Sequence, residues 1–328
     1  MLHVRIHVPT GRTEEVLGLI HKTVGTTHLA VLPGASLEPE GDLVLCDVAR
    51  EAADGLLHEL RRRGLCDDGA VTVDDVGLTL STRADKAEED APGEAADAVV
   101  WESLVEETHE ESTLSITFLA MLTVATLLAA CGVMIDSSIL IVGAMAVGPE
   151  FGPIAGLCVA LVQRRPRLVG RSVAALLGGF AVAMSVTVGF SFMMDAFGYF
   201  TMDMLEGKRP QTGFIWDPDA FSFIVAVLAG TAGTLSLTSS KSGALVGVAI
   251  SVTTVPAAAN AAIALSYGDF AQARGSTYQL LLNLLGIIVA GTVTLLVQKG
   301  YWAMTRHETV SQHVRDITRQ QRTGSARR

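Results

Sequence analysis

The hydrophobic and polar positions divide the chain into two parts. Residues 1–113 mix apolar and polar positions as a soluble domain does, whereas residues 114–298 are almost continuously apolar with short polar interruptions. A helix needs about 20 apolar residues to cross the hydrocarbon core of a bilayer. Segments of that length predict six crossings, at 114–133, 138–162, 172–194, 220–238, 243–265 and 278–297. The pattern predicts an α-helical integral membrane protein that carries a small domain before its first crossing.

Residues 1–81 alternate between strand and helix patterns. The strand patterns lie at 2–8, 28–33, 42–48 and 70–76, and the helical spacing of apolar residues lies at 12–24 and 50–63. The order βαββαβ is that of the ferredoxin-like split fold, which predicts an α+β domain on the cytosolic side of the membrane. We expect this domain to serve folding or oligomerisation, with ligand sensing as the alternative, because a fold alone implies no activity.

Residues 82–113 are predicted to join this domain to the membrane. The stretch begins as a charged linker that contains Pro and Gly, and it ends with a sequence in which Val100, Leu104 and Val105 share one helical face. Such an amphipathic helix lies either on the membrane surface or against protein. The acidic residues of this helix favour contact with protein, because anionic lipid would repel them.

Charge predicts the orientation of the six crossings. Arginines concentrate in the connection between the second and third crossings and in the tail 299–328, whereas the loop 195–219 is mainly acidic. Because cytoplasmic loops carry the excess of Lys and Arg, both termini are expected in the cytoplasm of a bacterial cell, with the chain in its cytoplasmic membrane. The formal net charge of −10 argues against nucleic-acid binding. The four cysteines show no metal-site spacing, and no cofactor or metal is expected.

The second predicted crossing is interrupted near its middle by the sequence GPEFGP. Proline removes a backbone donor and glycine lowers helix propensity, so the two Gly-Pro pairs should break the helix. Between them lies Glu150, the only acidic or basic residue inside a predicted crossing. A charge at that depth costs at least about 2.5 kcal/mol, so it requires a partner, water or a proton. We predict that Glu150 is a proton- or cation-coupling residue and that the amides after Pro153 face the substrate.

The fifth predicted crossing carries a weaker counterpart of this break. Pro256 lies at mid-depth, Thr253 and Thr254 precede it, and Asn260 follows it. Placing Pro149 on Pro256 sets Pro153 opposite Asn260 and matches crossings one to three with crossings four to six. Because each half has three crossings, the halves would be inverted, and interrupted middle helices in inverted halves indicate a transporter's midplane site. A simple kink at Pro256 is the competing interpretation.

These two breaks define the candidate site. It consists of Gly148, Pro149, Glu150, Phe151, Gly152 and Pro153 from the second crossing and Thr253, Thr254, Pro256 and Asn260 from the fifth. No nucleophile elbow, P-loop, HExxH or paired-carboxylate pattern accompanies them, so neither catalysis nor ATP-driven pumping is predicted.

The segments DSSILIVGAMAVGPEFGPIAGLCVALVQRR and SGALVGVAISVTTVPAAANAAIAL resemble the bacterial membrane family catalogued as domain of unknown function 389. The resemblance covers roughly residues 114–298 and implies an architecture similar to inverted-repeat, elevator-type carriers, with no assigned cargo. Many members of the family have an apolar residue in place of Glu150 and a second proline in place of Ala257. The resemblance therefore implies that coupling through Glu150 belongs to a subgroup.

A secondary transporter of a small polar or ionic solute, elevator-like and proton- or cation-coupled, is the favoured function. An ion channel is the second hypothesis, although no pore-lining polar periodicity along a whole helix is evident in the sequence. A membrane-anchored sensor or scaffold that acts through residues 1–81 is the third. We expect membrane lipids and a small solute or ion as partners, no nucleic acid, and a homo-oligomer, for which a dimer is favoured over a trimer.

Overall fold

The protein is represented by a computed structural model that describes residues 1–91, 98–217, 219–239 and 253–325, with side chains described as far as Trp302. The described residues form two compact units. The first unit contains Met1–Leu104 together with residues from Lys299 onwards, and the second contains Val105–Leu237 and the described part of Lys241–Gln298.

The first unit is built on a four-stranded antiparallel sheet. Its strands are β1 (Leu2–Pro9), β2 (Thr26–Leu37), β3 (Glu40–Val48) and β4 (Ala70–Asp75), in the order β2-β3-β1-β4. Helix α1 (Thr13–Lys22) connects β1 with β2, and helices α2 (Arg50–Arg62) and α3 (Leu65–Asp68) connect β3 with β4. Every neighbouring pair of strands is antiparallel. The predicted elements are present, and β2 extends four residues further than the sequence pattern indicates.

The period-two pattern of β1 explains how the sheet is covered. Val4, Ile6 and Val8 point to one face and are fully buried, while the residues between them are more exposed. Helix α1 contributes Val16 and Ile20 to the same core, together with a buried face of α2 formed by Ala53, Leu56, Leu57 and Leu60. One apolar core therefore lies between the sheet and its two longer helices.

Residues 82–90, expected as a linker, form helix α4 (Thr82–Asp90). The Ser81 side chain accepts a hydrogen bond from the Ala84 amide and so caps the helix, and Ala84 and Ala87 are buried. Helix α5 (Trp101–Glu111) is present where the amphipathic pattern predicts it, and Val100 packs into the core of the first unit. Local capping chemistry at Ser81 therefore outweighs the charged composition that suggested an irregular linker.

The second unit consists mainly of long apolar helices. These are α6 (Ile116–Met134), α7 (Ser138–Val147), α8 (Phe151–Gln163), α9 (Pro166–Ala196), α11 (Ala220–Thr238), α12 (Thr254–Ser266) and α13 (Phe270–Ser325), with the short α10 (Met202–Glu206) in the loop before α11. Among the described residues, α6, α9, α11 and the 270–302 part of α13 are each long and apolar enough to cross a membrane. Helices α7 and α8 meet at an angle of 54° and together make a fifth such segment. The protein is therefore membrane-embedded in character.

The fifth predicted crossing, 243–265, falls partly outside the described residues. Its described part belongs to α12, which has 13 residues and is too short to cross a membrane alone. The sixth predicted crossing lies within α13, but that helix begins at Phe270, eight residues before the pattern indicates.

Three helices recur at a constant spacing along the chain. Helices α6, α8 and α9 begin at 116, 151 and 166, and helices α11, α12 and α13 begin at 220, 254 and 270, each 103 or 104 residues later. Helices α6 and α11 both have 19 residues, and α8 and α12 both have 13. Self-similarity at a fixed period is characteristic of an internal repeat. The helix starts place Pro153, rather than Pro149, opposite Pro256, because both are the third residue of their helix.

Candidate functional site

The GPEFGP sequence breaks the helix where the pattern predicts it. Helix α7 ends at Val147, Gly148 takes an extended conformation, and α8 starts at Phe151 with Glu150 as its N-cap residue. Pro149 has no N–H to donate, and Pro153 lies in the first turn of α8, where a backbone N–H has no intrahelical acceptor. The break therefore places a carboxylate directly before the start of a buried helix.

The second predicted break is also the start of a helix. Helix α12 begins at Thr254 with Thr253 as its N-cap residue, so Pro256 lies in its first turn. Every residue from Thr254 to Ala264 is buried. Pro256 therefore stands at a position that tolerates proline and does not kink the described helix, which excludes the simple-kink interpretation for this part of the chain.

A hydrogen bond joins the two helix starts. The Thr254 hydroxyl donates to Oε1 of Glu150 at 2.7 Å, and both side chains are buried, with Glu150 only 5% exposed. The other carboxylate oxygen, Oε2, is buried and has no hydrogen-bond partner among the described residues. A side chain at position 148 would crowd the carboxylate, because a Cβ there would lie 2.3 Å from Glu150 Oε2 and 3.0 Å from Val255 Cγ2. The Glu150 carboxylate thus has one oxygen that accepts a hydrogen bond and one buried oxygen that has no partner among the described residues.

Thr253 anchors a second group of polar side chains beside this contact. Its hydroxyl oxygen accepts a hydrogen bond from Asn283 Nδ2 at 3.0 Å and a longer one from Gln279 Nε2 at 3.5 Å. Gln279 is 1% exposed, and its Oε1 has no partner among the described residues. Thr253 and Thr254 together connect the Glu150 carboxylate with amide side chains of α13.

The other predicted residues after Glu150 lie in packing contacts of α8. A Cβ at Gly152 would contact Glu111, and Phe151 packs against the apolar core of the unit. Pro153 is buried within the first turn of α8. The structure therefore brings Gly148, Glu150, Thr253 and Thr254 together and places Phe151, Gly152 and Pro153 in helix packing.

Asn260 belongs to a separate polar cluster that includes Arg209, a residue that sequence reasoning missed. Arg209 donates to Asn260 Oδ1 at 2.9 Å and to Gln272 Oε1 at 2.7 Å, and Asn260 Nδ2 donates to Ser276 at 2.6 Å. Arg209 is 8% exposed although it lies in the loop between α9 and α11. Asn260 lies six residues beyond Thr254, about 9 Å along the helix axis. The sequence does not mark Arg209 as buried, because a basic residue in a polar loop is ordinarily exposed.

The loop that carries Arg209 is also held by Asp136. The Asp136 carboxylate accepts hydrogen bonds from the Gln211 amide at 3.1 Å and from the Thr212 hydroxyl at 2.9 Å. Burial lowers the pKa of Arg209, and the nearby carboxylates of Asp136 and Asp269 act in the opposite direction. The N-terminus of α7 is capped by Ser137, whose hydroxyl accepts a hydrogen bond from the Leu140 amide. Asp136 instead fixes the position of the loop.

Part of the chain matches a known protein family. Residues 145–289, which include Glu150, Thr253, Thr254 and Asn260, match the family model described as Domain of unknown function (DUF389). An "Uncharacterized protein MJ0678" from Methanocaldococcus jannaschii is 25% identical over 208 residues, which cover 63% of this chain and 62% of that protein. This chain therefore spans less than two thirds of the length of that relative. No solved structure matches the chain.

Within the described residues, no three His, Cys, Asp or Glu side chains converge as a metal site would require. The chemistry of the Glu150 region is instead that of one carboxylate, two threonine hydroxyls and two side-chain amides. Such a group can hold a proton, a cation or a small hydrogen-bonding solute.

Proposed function

We propose that this protein is a secondary carrier of a small polar or ionic solute and that Glu150 couples the movement of that solute to a proton or a cation. One observation carries the proposal, namely a buried carboxylate at the point where two helix starts meet. An acidic residue inside a membrane protein is costly and marks an ion or substrate pathway by default. Because Oε2 of Glu150 has no partner among the described residues, the carboxylate has one oxygen open for a proton or cation.

The repeated helices support a carrier in preference to a channel or a scaffold. In carriers built from inverted repeats, the substrate site lies at the repeat interface and is formed by discontinuous helices. Helices α8 and α12 occupy corresponding positions of the two repeats and meet through Glu150 and Thr254. We therefore propose an elevator-like movement in which these two helix starts carry the solute.

The membrane setting is part of the same proposal. Six crossings would place both termini in the cytoplasm of a bacterial cell and the loop 195–219 on the other side of the cytoplasmic membrane. The strand order β2-β3-β1-β4 and the βαββαβ element order support a ferredoxin-like domain in the first unit. We propose that this domain contributes to a homo-oligomer, with a dimer favoured.

The carrier proposal is tested by transport in proteoliposomes. A thermal-shift screen of small solutes against the purified chain identifies candidates, and uptake of each is then measured with an imposed proton or sodium gradient. The expected result is saturable uptake that depends on one gradient. Glu150→Gln should abolish the gradient dependence, because the amide cannot take up a proton or hold a cation as the carboxylate does.

Two glycine variants provide a matched comparison in the same assay. Gly148→Ala should strongly reduce uptake, because its Cβ displaces the Glu150 carboxylate. Gly143→Ala, five residues earlier in α7, meets nothing within 4 Å and should transport normally. Flux that does not saturate would favour a channel. Gradient-driven uptake that survives Glu150→Gln unchanged would reject the coupling role.

A further inference from the structure

A continuous polar stripe runs along one face of α13 inside the membrane unit. It consists of Gln272, Ser276, Gln279 and Asn283, at spacings of four, three and four residues. Residues at these spacings lie one above another on a helix. All four are between 0% and 6% exposed, and the stripe extends for about 16 Å along the helix axis. The sequence hides this feature, because the predicted sixth crossing starts at 278 and so excludes half of the stripe.

The stripe is hydrogen-bonded along its length to polar residues of α12 and the loop before α11. Arg209 binds Gln272, Asn260 binds Ser276, and Thr253 binds both Gln279 and Asn283. Polar side chains between membrane helices either join the helices or line a substrate path. The open Oε1 of Gln279 favours a path, because a purely structural amide that is fully buried would have both of its ends paired.

The two ends of the stripe differ in charge and position. At one end, Gln272 is bound to Arg209, which lies in the loop between two candidate spans. At the other end, Asn283 is bound to Thr253, and the next residue, Thr254, is bound to Glu150. One turn beyond Asn283 the same face carries Ile287, which is buried and apolar. The polar stripe therefore begins at a loop and stops at the proposed coupling site.

Arg209 is a buried cation whose described hydrogen-bond partners, Asn260 and Gln272, are both neutral. The nearby carboxylates of Asp136 and Asp269 accept hydrogen bonds from Gln211 and Gln272 amides instead. Taking a guanidinium out of water without a bound counter-charge is unfavourable. Its planar set of donors fits carboxylates and other oxyanions, so the charge at this end of the stripe attracts small anions.

We propose that Arg209 and the stripe Gln272–Ser276–Gln279–Asn283 form the route by which a small oxyanion reaches the Glu150 site from the side of the 197–219 loop. The inference rests on the proposed carrier function and names the charge class of its cargo. An anion can approach Glu150 only when that carboxyl carries a proton or holds a cation. Movement of an anion along the route therefore depends on the proton or cation that neutralises Glu150.

The route is tested by thiol labelling of the full chain in lipid nanodiscs, with Cys46, Cys66, Cys131 and Cys158 replaced by serine or alanine. Ser276→Cys and Asn283→Cys introduce reporters on the stripe. Ile287→Cys is the buried apolar control on the same face, and Leu285→Cys is the control on an exposed apolar face. Methanethiosulfonate reagents that carry a sulfonate or a trimethylammonium group serve as probes, with each rate divided by its rate with a free small thiol.

The expected result is labelling at 276 and 283 well above both controls, with the sulfonate favoured by about tenfold, as focusing by a buried charge predicts. Arg209→Lys should keep this preference and Arg209→Gln should remove it. Labelling of the stripe no faster than at Ile287→Cys overturns the route. Equal normalised rates for both reagents, or a preference that survives Arg209→Gln, overturn the role of Arg209 in selecting anions.

The labelling result is independent of the uptake assay. Gradient-driven uptake together with an unlabelled Ser276→Cys would support the carrier function and reject this route. Anion-selective labelling of the stripe without gradient-driven uptake would support the route and reject the carrier function.

Discussion

At the scale of single residues, the contact between Glu150 and Thr254 is the most consequential in the membrane unit. Each residue stands at or next to the first turn of its helix, so one hydrogen bond fixes the distance between two helix starts. A carboxylate there is also favoured by the partial positive charge of a helix N-terminus. Its cost of burial is therefore partly offset without a basic partner.

Removing the Thr254 hydroxyl should destabilise the protein measurably. Thr254→Val keeps the shape of the side chain but leaves Oε1 of Glu150 buried and unpaired, which costs about 1–3 kcal/mol. Melting of the purified chain in detergent measures the loss. The matched control is Thr187→Val, because Thr187 is equally buried and its hydroxyl donates a hydrogen bond to the Ala183 carbonyl of its own helix. We expect a much smaller change there.

A double-mutant cycle separates this bond from general packing. If the two side chains are coupled, Thr254→Val should cost less in a Glu150→Gln background than in the wild type. Because glutamine keeps an oxygen acceptor, additive losses would mean that the charge of Glu150 adds no energy to the 2.7 Å contact.

At the scale of residues, the sequence marks positions whose chemistry is local and does not mark those whose environment depends on the fold. Glu150 stands out because an acid within an apolar segment is rare, and Gly148 stands out with it. Arg209 does not, because only the tertiary structure shows that a loop residue is buried. Gln272 and Ser276 precede the most apolar part of their helix, so hydropathy assigns them to a loop.

At the scale of helices and strands, proline and glycine explain the breaks. The interruption between α7 and α8 is predictable, because two Gly-Pro pairs act on the backbone wherever they are. The start of α12 is not, because proline is compatible both with a kink and with a first turn. The helix at 82–90 depends on a single cap at Ser81, which composition does not reveal.

The first unit contains an element-scale clamp that should respond to pH. Asp47 on β3 accepts hydrogen bonds from His3 on β1 and His28 on β2, both at 2.7 Å. Burial raises the pKa of Asp47, but the bonds from both histidines outweigh it and hold the pKa below the ordinary value of 3.8. A lowered folded-state pKa adds stability above the unfolded-state value and loses it as pH falls through the folded-state value. The clamp should therefore weaken only below pH 3.8.

Amide hydrogen exchange of β1 and β3 measures this clamp. Asp47→Asn should exchange faster than the wild type at pH 6, and the ratio of the two rates should fall towards one as the pH is lowered below 3.8 and the wild-type carboxyl takes up a proton. Asp74→Asn is the control, because Asp74 pairs with Arg5 at 3.4 Å on the surface, where ion pairs contribute little. A ratio that does not change with pH down to acid unfolding of the unit would show that the charge of Asp47 is irrelevant.

At the scale of the whole molecule, three helix starts in the second half of the membrane unit follow three in the first half at a nearly constant offset. The constant offset of 103 or 104 residues between helix starts maps α7 onto residues 242–251, which lie outside the described residues. Six crossings would give each half three, and the halves would then be inverted. Five crossings would leave the second half with two.

The number of crossings decides on which side of the membrane each terminus lies. Cys66 in the first unit is exposed and serves as one reporter. Arg167→Cys, Lys208→Cys and Ser311→Cys report the connection after α8, the loop after α9 and the tail, in a background without the other native cysteines. A membrane-impermeant maleimide is added to intact cells and to inverted vesicles. Six crossings predict that Cys66, 167 and 311 react only in inverted vesicles, because an even number of crossings separates each pair, and that 208 reacts only in intact cells. Labelling of 311 in intact cells would instead establish five crossings, and the two halves would then not be inverted copies.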